Sequence, residues 1–456
     1  MKSISLKEIC KAVGGRFQNG ADENFKIENI TTDTREVGAN SLFIPLRGER
    51  FDGHDFILQA FEKGAACSLS EKEVSTEKPV ILVENSLKAL RDLAAYYLSL
   101  FNIKVVAITG SVGKTTTKDM VASVLEEKYK ALKTQGNFNN EIGLPKTVFN
   151  ITDEHEVAVL EMGMNNFGEI HNLSEIAKPD IAVITNVGVA HIENLGSREG
   201  ILKAKCEIFD FMKENGVAVL NRDNDLLRTI DGKYRFKILW FGNGHVGDFY
   251  ASNIVSKGLD GISCTIYCPN GEFDAEISVP GEHMVYIALT AAAVGYELGL
   301  DTFQIKRGIE NFIPTARRMA ISTTEYGITI INDAYNANPV SMNAAIDVLA
   351  KSTGRKVAVL GEMLELGKYS SEFHKEVGDY AAQKGIDLVI CIGETFAKAT
   401  YMGASVMGAD TLYFKTQEEM FDKGLKGIFK KGDTVLVKAS MRMHLEKTVE
   451  KLQEVK

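Results

Sequence analysis

Short apolar runs in the first half of the chain constrain its fold more than any other feature of the sequence. They span residues 104–109, 157–161, 181–185 and 217–220, and each is continuous, rich in β-branched residues and followed by a glycine or a polar turn. Such runs are typical of parallel strands that are buried on both faces. Because helix-length stretches such as residues 116–128 separate them, the pattern predicts a parallel sheet wrapped by helices.

The segments before and after the predicted parallel sheet differ from it in pattern and indicate further domains. A second set of apolar runs, at residues 357–360, 388–392 and 434–437, predicts another α/β domain, and a linker is expected near Pro314. The N-terminal part has short strands, few helices and polar turns, and is expected to form a small separate domain. Alternation and turn signals between residues 248 and 280 predict antiparallel hairpins. We therefore predict an α/β fold of three domains, residues 1–100, 101–313 and 314–456.

The composition narrows the classes of function. The chain has 456 residues, a net charge of −9 and no run of the ~20 apolar residues that span a bilayer. Because a phosphate backbone needs a basic surface, the acidic balance argues against broad nucleic-acid binding. The six cysteines lack the spacing of a zinc or redox site, so we expect reduced thiols. The expectation is a cytoplasmic, monomeric protein that neither inserts into membranes nor binds nucleic acid.

The sharpest motif lies between a predicted strand and the helix that follows it. Residues 108–117 read ITGSVGKTTT, a short form of the phosphate loop in which Ile108 replaces the first glycine of the longer pattern. Glycines let such a loop direct N–H groups at phosphate oxygens, a lysine neutralises phosphate charge, and the next hydroxyl reaches Mg²⁺. The alternative is a glycine-rich turn that only connects the strand to the helix. The expected nucleotide contacts are Thr109, Gly110, Ser111, Val112, Gly113, Lys114, Thr115 and Thr116.

Other polar residues near the predicted sheet carry candidate chemistry. Glu161 ends a strand, where open α/β sheets bind ligands, so it is a candidate Mg²⁺ ligand; a solvated strand-end glutamate is the alternative. His191 follows the next strand, although a lone histidine is more often packed or hydrogen-bonded than a ligand. Lys203 and Lys205 begin a predicted helix and, by themselves, indicate a solvated helix face.

The motifs occur in an order that resembles the Mur ligase family. Besides the phosphate loop, they are TTDTR at residues 31–35, LFIPLRGE at 42–49, FDGHDF at 51–56, NFNNEIGLP at 137–145, EMGMN at 161–165, TNVGVAHIENLGS at 185–197, NDAYNANP at 332–339 and LGEMLELG at 360–367. The resemblance covers nearly the whole chain. It implies an N-terminal domain for the UDP end of a nucleotide-sugar peptide, a central parallel-sheet ATPase domain and a C-terminal Rossmann-like domain.

The resemblance also implies a reaction, that of an ATP-dependent amide ligase in peptidoglycan precursor synthesis. The γ-phosphate of ATP moves to the terminal carboxylate of a UDP-N-acetylmuramoyl-tripeptide. The amine of D-alanyl-D-alanine then attacks this acyl phosphate through a tetrahedral intermediate and expels phosphate. Such chemistry depends on positioning and charge stabilisation. The expected cofactors are ATP and Mg²⁺ at two sites, and the expected partners are these small molecules.

Matching positions transfer the family's roles to this chain. Thr115 and Glu161 match contacts to one Mg²⁺, and His191 lies near a second. Lys205 matches the lysine that CO₂ converts to a carbamate, which would hold the second cation, and Lys203 is the alternative position. Catalytic roles therefore fall on Lys114, Lys205, His191 and Arg318, the last near the phosphates. The other expected contacts are Asn140, Asp333 and Asn336 at the nucleotide, and Asp33, Thr34, Arg35 and Arg47 at the UDP-sugar-peptide.

Two departures from the family pattern limit this transfer. Met284 follows Gly281-Glu282-His283 where the family has asparagine, which leaves the adenine contact there open. Met441 stands after Ser440 where the family has arginine, and whether Arg442 compensates is open as well.

Other functions fit parts of the pattern. Another amide ligase of the superfamily, such as a folylpolyglutamate synthase or the ligase that adds the third stem-peptide residue, shares the phosphate loop. The DAYNANP and LGEMLELG runs favour the D-alanyl-D-alanine reaction. A nucleotide-dependent switch or binding module would need neither an acceptor pocket nor a lysine modified by CO₂. The sequence does not distinguish lysine from diaminopimelate at the third position of the peptide.

Overall fold

The structure is a computed structural model that describes residues 1–48, 50–244, 247–315 and 317–455. Its contacts divide the chain into two compact units. The first unit comprises Met1–Thr109, Tyr129–Ala182 and Cys206–Gly216, and the second comprises Gly110–Lys128, Val183–Lys205 and Val217–Lys456. Among the described residues, no helix combines the length and the apolar character needed to cross a bilayer.

The N-terminal segment folds into a small sheet with helices. Its strands are β1 (Ile4–Ser5), β2 (Arg16–Phe17), β3 (Lys26–Ile27), β4 (Asn29–Thr31), β5 (Ser41–Phe43), β6 (Ala65–Ser70) and β7 (Val80–Leu82), and its helices are α1 (Leu6–Ala12), α2 (Ile57–Glu62) and α3 (Ser86–Ser99). The sheet has the order β2-β7-β6-β5-β4, parallel except for the β2–β7 pair, and β1 pairs with β3. A capping box between Ser5 and Glu8 starts α1.

The next segment alternates strands and helices. Its strands are β8 (Lys104–Thr109), β9 (Ala131–Lys133), β10 (Val157–Glu161), β11 (Ile181–Ile184), β12 (Val217–Asn221), β13 (Lys237–Asn243), β14 (Phe249–Ser256), β15 (Ile262–Cys268) and β16 (Gly271–Ile277). Its helices are α4 (Lys114–Leu125), α5 (Gly143–Val148), α6 (Glu169–Ala177), α7 (Ile192–Leu195), α8 (Arg198–Cys206), α9 (Asp225–Arg228), α10 (His283–Glu297) and α11 (Thr302–Glu310).

The pairing in this segment confirms the predicted architecture. In the first unit, β8 pairs in parallel with β10, and β10 with β9. In the second unit, β12 pairs in parallel with β13, and β14, β15 and β16 form the predicted antiparallel hairpins. Strands β8, β10, β11 and β12 are almost entirely buried, because apolar residues occupy both of their faces.

The C-terminal segment, within the second unit, is a Rossmann-like sheet. Its strands are β17 (Ala320–Thr323), β18 (Thr329–Asn332), β19 (Lys356–Gly361), β20 (Leu388–Ile392), β21 (Asp410–Phe414) and β22 (Thr434–Lys438), and its helices are α12 (Pro339–Ala350), α13 (Ser370–Gln383), α14 (Ala397–Val406), α15 (Gln417–Asp422), α16 (Leu425–Ile428) and α17 (Glu446–Gln453). The strand order is β17-β18-β22-β19-β20-β21, with only β17 antiparallel to its neighbour.

The three-domain α/β fold predicted from the sequence is confirmed, and the six cysteines are free as expected. The boundaries at residues 100 and 313 stay predictions. Residues 312–315, at the expected linker, have no regular secondary structure.

A buried carboxylate caps one helix of the C-terminal sheet. Oε1 of Glu362 accepts hydrogen bonds from the backbone N–H groups of Thr395 (2.7 Å), Phe396 (2.6 Å) and Ala397 (3.1 Å) at the start of α14. Glu362 is 6% exposed. The side chain therefore satisfies donors that an α-helix leaves without internal partners.

Two helices of this sheet approach each other through glycines. A Cβ atom added to Gly378 of α13 would lie 2.1 Å from the carbonyl oxygen of Thr400, and one added to Gly403 of α14 would lie 2.3 Å from that of Lys375. Both clashes are with backbone, which cannot move aside as a flexible side chain can. The α13–α14 packing therefore depends on the missing side chains.

We predict that Gly378→Ala destabilises the protein by about 1–3 kcal/mol or more, because the methyl group forces the two helices apart. The matched control is Gly427→Ala in α16, where an added Cβ meets no atom within 4 Å. In thermal unfolding, the midpoint should fall for Gly378→Ala and stay level or rise slightly for Gly427→Ala. Equal midpoints for the two variants would contradict the close packing.

Candidate active site

The phosphate loop leads from β8 into α4, as the sequence predicts. Gly113 precedes the helix with a φ of +83°, a left-handed conformation that favours glycine. The first intrahelical hydrogen bond runs from the N–H of Thr117 to the carbonyl oxygen of Gly113. The N–H groups of Lys114, Thr115 and Thr116 therefore stand at the helix start, where no intrahelical acceptor is available and an anion is favoured.

The residues after β11 hold the loop from one side. Asn186 accepts from the N–H of Val112 through Oδ1 at 3.0 Å and donates from Nδ2 to the carbonyl oxygen of Val112 at 3.0 Å. The carbonyl oxygen of Asn186 also accepts from the N–H of Ser111 at 3.1 Å. A Cβ atom on Gly110 would lie 1.9 Å from Oγ1 of Thr185. The loop is thus fixed before any ligand arrives.

Lys114, Thr115 and Arg318 meet at this loop. Nζ of Lys114 donates to the carbonyl oxygen of Gly110 at 2.8 Å. Nη2 of Arg318 donates to Oγ1 of the buried Thr115 at 2.9 Å. The expected arginine near the phosphates is therefore in contact with the hydroxyl expected to reach Mg²⁺.

The two expected nucleotide residues of the C-terminal segment share one partner. Oδ2 of Asp333 lies 2.5 Å from Nζ of Lys438, and Nζ also donates to the carbonyl oxygen of Asn336 at 2.9 Å. Asn336 is exposed, and its Oδ1 accepts from the N–H of Ala337. The NDAYNANP turn is therefore anchored by Lys438, which was not among the predicted site residues.

His191 faces a carboxylate of the LGEMLELG run. Its Nδ1 lies 2.9 Å from Oε2 of Glu365, an ion-pair distance without the angle of a hydrogen bond. The pKa of Glu365 lies below its ordinary value, mainly because of His191, with further contributions from Arg442 and Lys114. Although 58% of the Glu365 side chain is exposed, it lies among groups that carry or can carry positive charge.

The structure separates the two lysines of α8. Lys203 is exposed, as a solvated helix face requires, whereas Lys205 is 1% exposed. A fully buried lysine is rare in proteins unless it is paired. The interpretation of both lysines as a solvated face is therefore wrong for Lys205, and burial favours Lys205 over Lys203 as the modified position.

Glu161, in the first unit, ends β10 as predicted and is 2% exposed. Its Oε1 accepts from Nδ2 of Asn139 at 2.9 Å, and its N–H donates to Oγ1 of Thr134. Oε2 is buried without a hydrogen-bond partner in the part of the chain that the structure describes. The alternative of a solvated glutamate is therefore wrong, and a buried carboxylate oxygen of this kind suits a cation.

Asn140 follows Asn139 in the chain but makes a different contact. It is exposed, and its Oδ1 accepts from the N–H of Gly143 at 2.8 Å at the start of α5. Its neighbour Asn139 is the residue that contacts Glu161. Both asparagines belong to the NFNNEIGLP motif, and only Asn140 was predicted to contact the nucleotide.

The four expected UDP-sugar-peptide contacts lie in the first unit, where Arg35 and Arg47 are exposed and Asp33 and Thr34 are half-buried. Arg35 pairs with Asp33 through two nitrogens and lowers the pKa of Asp33 to about 2. The carbonyl oxygen of Thr34 accepts from Lys63. Arg47 pairs with Glu71 at 2.9 Å. Asp33, Thr34 and Arg35 are neighbours along the chain. Arg35 and Arg47 are both exposed, and each is paired with a carboxylate of the N-terminal segment.

The two departures from the family pattern have different structural outcomes. Met284 is 1% exposed in α10, so it packs in the core. Met441 is 47% exposed, whereas Arg442 lies close enough to Glu365 to lower its pKa. Arg442 therefore brings positive charge to the neighbourhood of His191, although it stands one position later than the family's arginine.

The metal prediction remains a proposal. Among the described residues, no group of three or more His, Cys, Asp or Glu side chains has the geometry of a metal site. Mg²⁺ often takes one or two protein ligands and completes its shell with water and substrate phosphates. Glu161 and Thr115 are donors of that kind.

Comparison with known proteins gives matches along most of the chain. Residues 26–98 match the Mur ligase family catalytic domain, residues 108–295 the Mur ligase middle domain, and residues 317–441 the Mur ligase glutamate ligase domain. The UDP-N-acetylmuramoyl-tripeptide–D-alanyl-D-alanine ligase of Bacillus subtilis is 41% identical over 99% of this chain and 98% of its own. The Escherichia coli ligase of the same name is 36% identical over 100% of this chain and 99% of its own.

Solved structures agree with the sequence matches. A crystal structure of MurF from Acinetobacter baumannii covers 100% of both chains with a TM-score of 0.93 and 31% identity. The MurF ligase of Thermotoga maritima in complex with ADP covers 94% of this chain and 97% of its own, with a TM-score of 0.83 and 33% identity. Together with the ordered motifs and the phosphate loop, these similarities show that the chain belongs to the Mur ligase family.

Proposed function

We propose that this chain is an ATP-dependent ligase that joins D-alanyl-D-alanine to a UDP-N-acetylmuramoyl-tripeptide in peptidoglycan precursor synthesis. The full-length identity to relatives with this activity in their names carries the proposal. The assembly of Lys114, Thr115 and Arg318 at the start of α4 supports it from the structure. Likenesses to a folylpolyglutamate synthase and to a diaminopimelate ligase, at 15% and 17% identity, indicate a shared fold alone.

ATP binds with its phosphates at the start of α4. The N–H groups there donate hydrogen bonds to phosphate oxygens, and the charges of Lys114 and Arg318 offset those of the phosphates. The ADP complex of the Thermotoga maritima relative supports nucleotide binding. Asp333 and Asn336 contribute from the C-terminal segment, and Lys438 holds both.

The reaction proceeds in two transfers. The γ-phosphoryl group leaves ATP for the terminal carboxylate of the peptide, so that the bond to the β-phosphate oxygen breaks as the acyl phosphate forms. The amine of D-alanyl-D-alanine attacks the acyl carbon, and phosphate leaves as the amide forms and the amine loses its proton. Lys114 and Arg318 stabilise charge on the moving phosphoryl group.

Magnesium fits the donors present. Thr115 offers a hydroxyl oxygen with a second lone pair beyond the Arg318 contact, and Glu161 offers the buried oxygen without a partner. When bound, Mg²⁺ supplies positive charge that offsets the phosphate oxygens. His191 and a carbamate on Lys205 are the proposed ligands for a second ion. The burial of Lys205 supports the carbamate, because a buried charge needs an opposite charge beside it. A negatively charged carbamate and the second cation would provide such a pair.

Each of the three domains has its own role in the proposed reaction. The N-terminal domain, residues 1–100, holds the UDP end of the substrate, and Asp33, Thr34, Arg35 and Arg47 contact it. The central domain, residues 101–313, binds ATP, and the C-terminal domain, residues 314–456, contributes Arg318 and the NDAYNANP turn. The chain acts as a monomer in the cytoplasm.

A substrate panel tests the reaction. With ATP, Mg²⁺ and a UDP-N-acetylmuramoyl-tripeptide, phosphate release should require D-alanyl-D-alanine and should yield the corresponding amide by mass spectrometry. Tripeptides with lysine or diaminopimelate at the third position show which one the enzyme accepts. Release that depends instead on free glutamate, lysine or diaminopimelate would refute the proposed acceptor.

Lys114→Ala should reduce turnover by about a thousandfold or more, because the loop loses the charge that offsets the moving phosphoryl group. Lys104→Ala is the matched control, since Lys104 lies at the other end of β8 with 61% of its side chain exposed. Steady-state phosphate release measures both variants. Turnover of Lys114→Ala near the wild-type value would remove the loop from the mechanism.

Lys205→Ala should lose turnover, and acetate or another small carboxylic acid should partly restore it by replacing the carbamate. Lys203→Ala should behave as wild type, because Lys203 lies on the exposed side of the same helix. The mass of intact wild-type protein under bicarbonate, compared with that of Lys205→Ala, gives a second measurement. Full activity of Lys205→Ala without any added acid would exclude the carbamate.

A further inference from the structure

The segment that carries Arg318 is strained on both sides of it. Arg317 has a φ of +64° and Met319 a φ of +53°, although neither is glycine. Side chains rarely adopt this left-handed conformation, because Cβ crowds the backbone. Such residues persist only where their surroundings hold them in place. The backbone around Arg318 would not adopt this conformation by itself, so contacts with other parts of the chain must hold Arg318 in place.

Hydrogen bonds fix the segment at both ends. Oγ1 of Thr315 donates to Oδ2 of Asp119 on α4 at 2.5 Å. The N–H of Met319 donates to Oδ1 of Asp333 at 3.2 Å. The first contact ties the segment to the helix that begins at the phosphate loop, and the second ties it to the NDAYNANP turn.

Lys438 in turn holds Asp333. The two form a short ion pair of 2.5 Å, and only 3% of the Lys438 side chain is exposed. Nζ makes a further hydrogen bond to the carbonyl oxygen of Asn336, which fixes the direction of the ammonium group. Lys438 thus orients the carboxylate whose other oxygen accepts from Met319.

Arg318 itself lies between two contacts. Its guanidinium carbon is 4.1 Å from the centre of the Tyr335 ring, a cation–π distance, and Nη2 donates to Oγ1 of Thr115. Tyr335 follows Asp333 in the same turn. The turn therefore restrains Arg318 twice, through the backbone of Met319 and through the aromatic ring.

We propose that Lys438 and Tyr335 are positioning residues that fix Arg318 on Thr115 at the phosphate loop. Lys438 acts through Asp333 and the N–H of Met319, and Tyr335 acts through its ring. The kinetic test of these two roles rests on the proposed function, because it requires the ligase reaction; the contacts themselves do not depend on it. It gives a role to a buried lysine and an aromatic residue that lie outside the nucleotide contacts selected from the sequence.

The chain offers a matched control for a purely structural effect. Arg355 pairs with Asp433 at 3.2 Å beside the opposite end of β22, where Asp433 is 2% exposed. Loss of that pair also leaves a buried carboxylate uncompensated, which destabilises a protein. It leaves the contacts of Arg318 untouched.

Kinetics separate positioning from stability. Lys438→Met should lower kcat/KM for ATP by about tenfold or more and leave KM for D-alanyl-D-alanine unchanged, whereas Arg355→Met should change neither. In an Arg318→Ala background, Lys438→Met should have almost no further effect on kcat, because the residue it positions is absent; its remaining effect, through Asp333 and Asn336, should fall on KM for ATP. A full additional loss in that background would overturn the proposal.

Tyr335 provides a second pair of variants that does not disturb the buried ion pair. Tyr335→Leu should lower kcat/KM for ATP severalfold, and Tyr335→Phe, which keeps the ring, should retain the wild-type value. Equal values for Tyr335→Leu and wild type would overturn the role of the ring.

A ligand-free measurement tests the segment directly. Trypsin cleaves after arginine, so release of the segment should expose the bonds after Arg317 and Arg318. Fragments that end there should form several times faster from Lys438→Met than from wild type or Arg355→Met. Equal rates for Lys438→Met and Arg355→Met would overturn the proposal. If wild type shows no turnover that depends on D-alanyl-D-alanine, the proposed function fails, and the trypsin comparison still decides the role of Lys438.

Discussion

One side chain sets the shape of the phosphate loop. Asn186 bonds to both polar backbone groups of Val112, and its own carbonyl oxygen accepts from Ser111. Since these contacts are internal, the loop needs no ligand to reach its conformation. The donors at the start of α4 are therefore arranged in advance, and binding of an anion does not have to order them.

The second unit gathers groups of both charges around this loop. Arg318 contacts Thr115, Lys114 contacts the carbonyl oxygen of Gly110, and Glu365 lies beside His191. Cationic groups that converge without an anion repel one another, and a nearby carboxylate of the chain moderates that repulsion. Glu365 therefore balances part of the charge that Lys114 and Arg442 bring to the same region of the second unit.

The sequence predicted the strands well and the long-range contacts poorly. For three strands the predicted first and last residues agree with the structure, because each continuous apolar run stops where its strand stops. These strands are residues 104–109, 157–161 and 388–392. The helix expected at 116–128 begins at Lys114, since Gly113 supplies the left-handed turn directly before it. The N-terminal segment was expected to have few helices; it has α1, α2 and α3, and the longest of these, α3, spans 14 residues.

In the candidate site too, local features were predicted from the sequence and long-range contacts were not. The phosphate loop follows from local spacing, whereas the pairing of Lys438 with Asp333, or of Glu365 with His191, joins residues that only the tertiary fold brings together. Lys203 and Lys205 could not be distinguished by residue type. Residues two apart point to different sides of a helix, and which side is buried depends on the packing. The carboxylate of Glu362 adds a consequence for the C-terminal sheet. Its three contacts occupy the N–H groups at the start of α14, and helix starts of this kind are where proteins commonly bind phosphate. A free anion could bind at this helix start only by displacing the Glu362 carboxylate, so the chain itself fills the position and the anion becomes part of the fold.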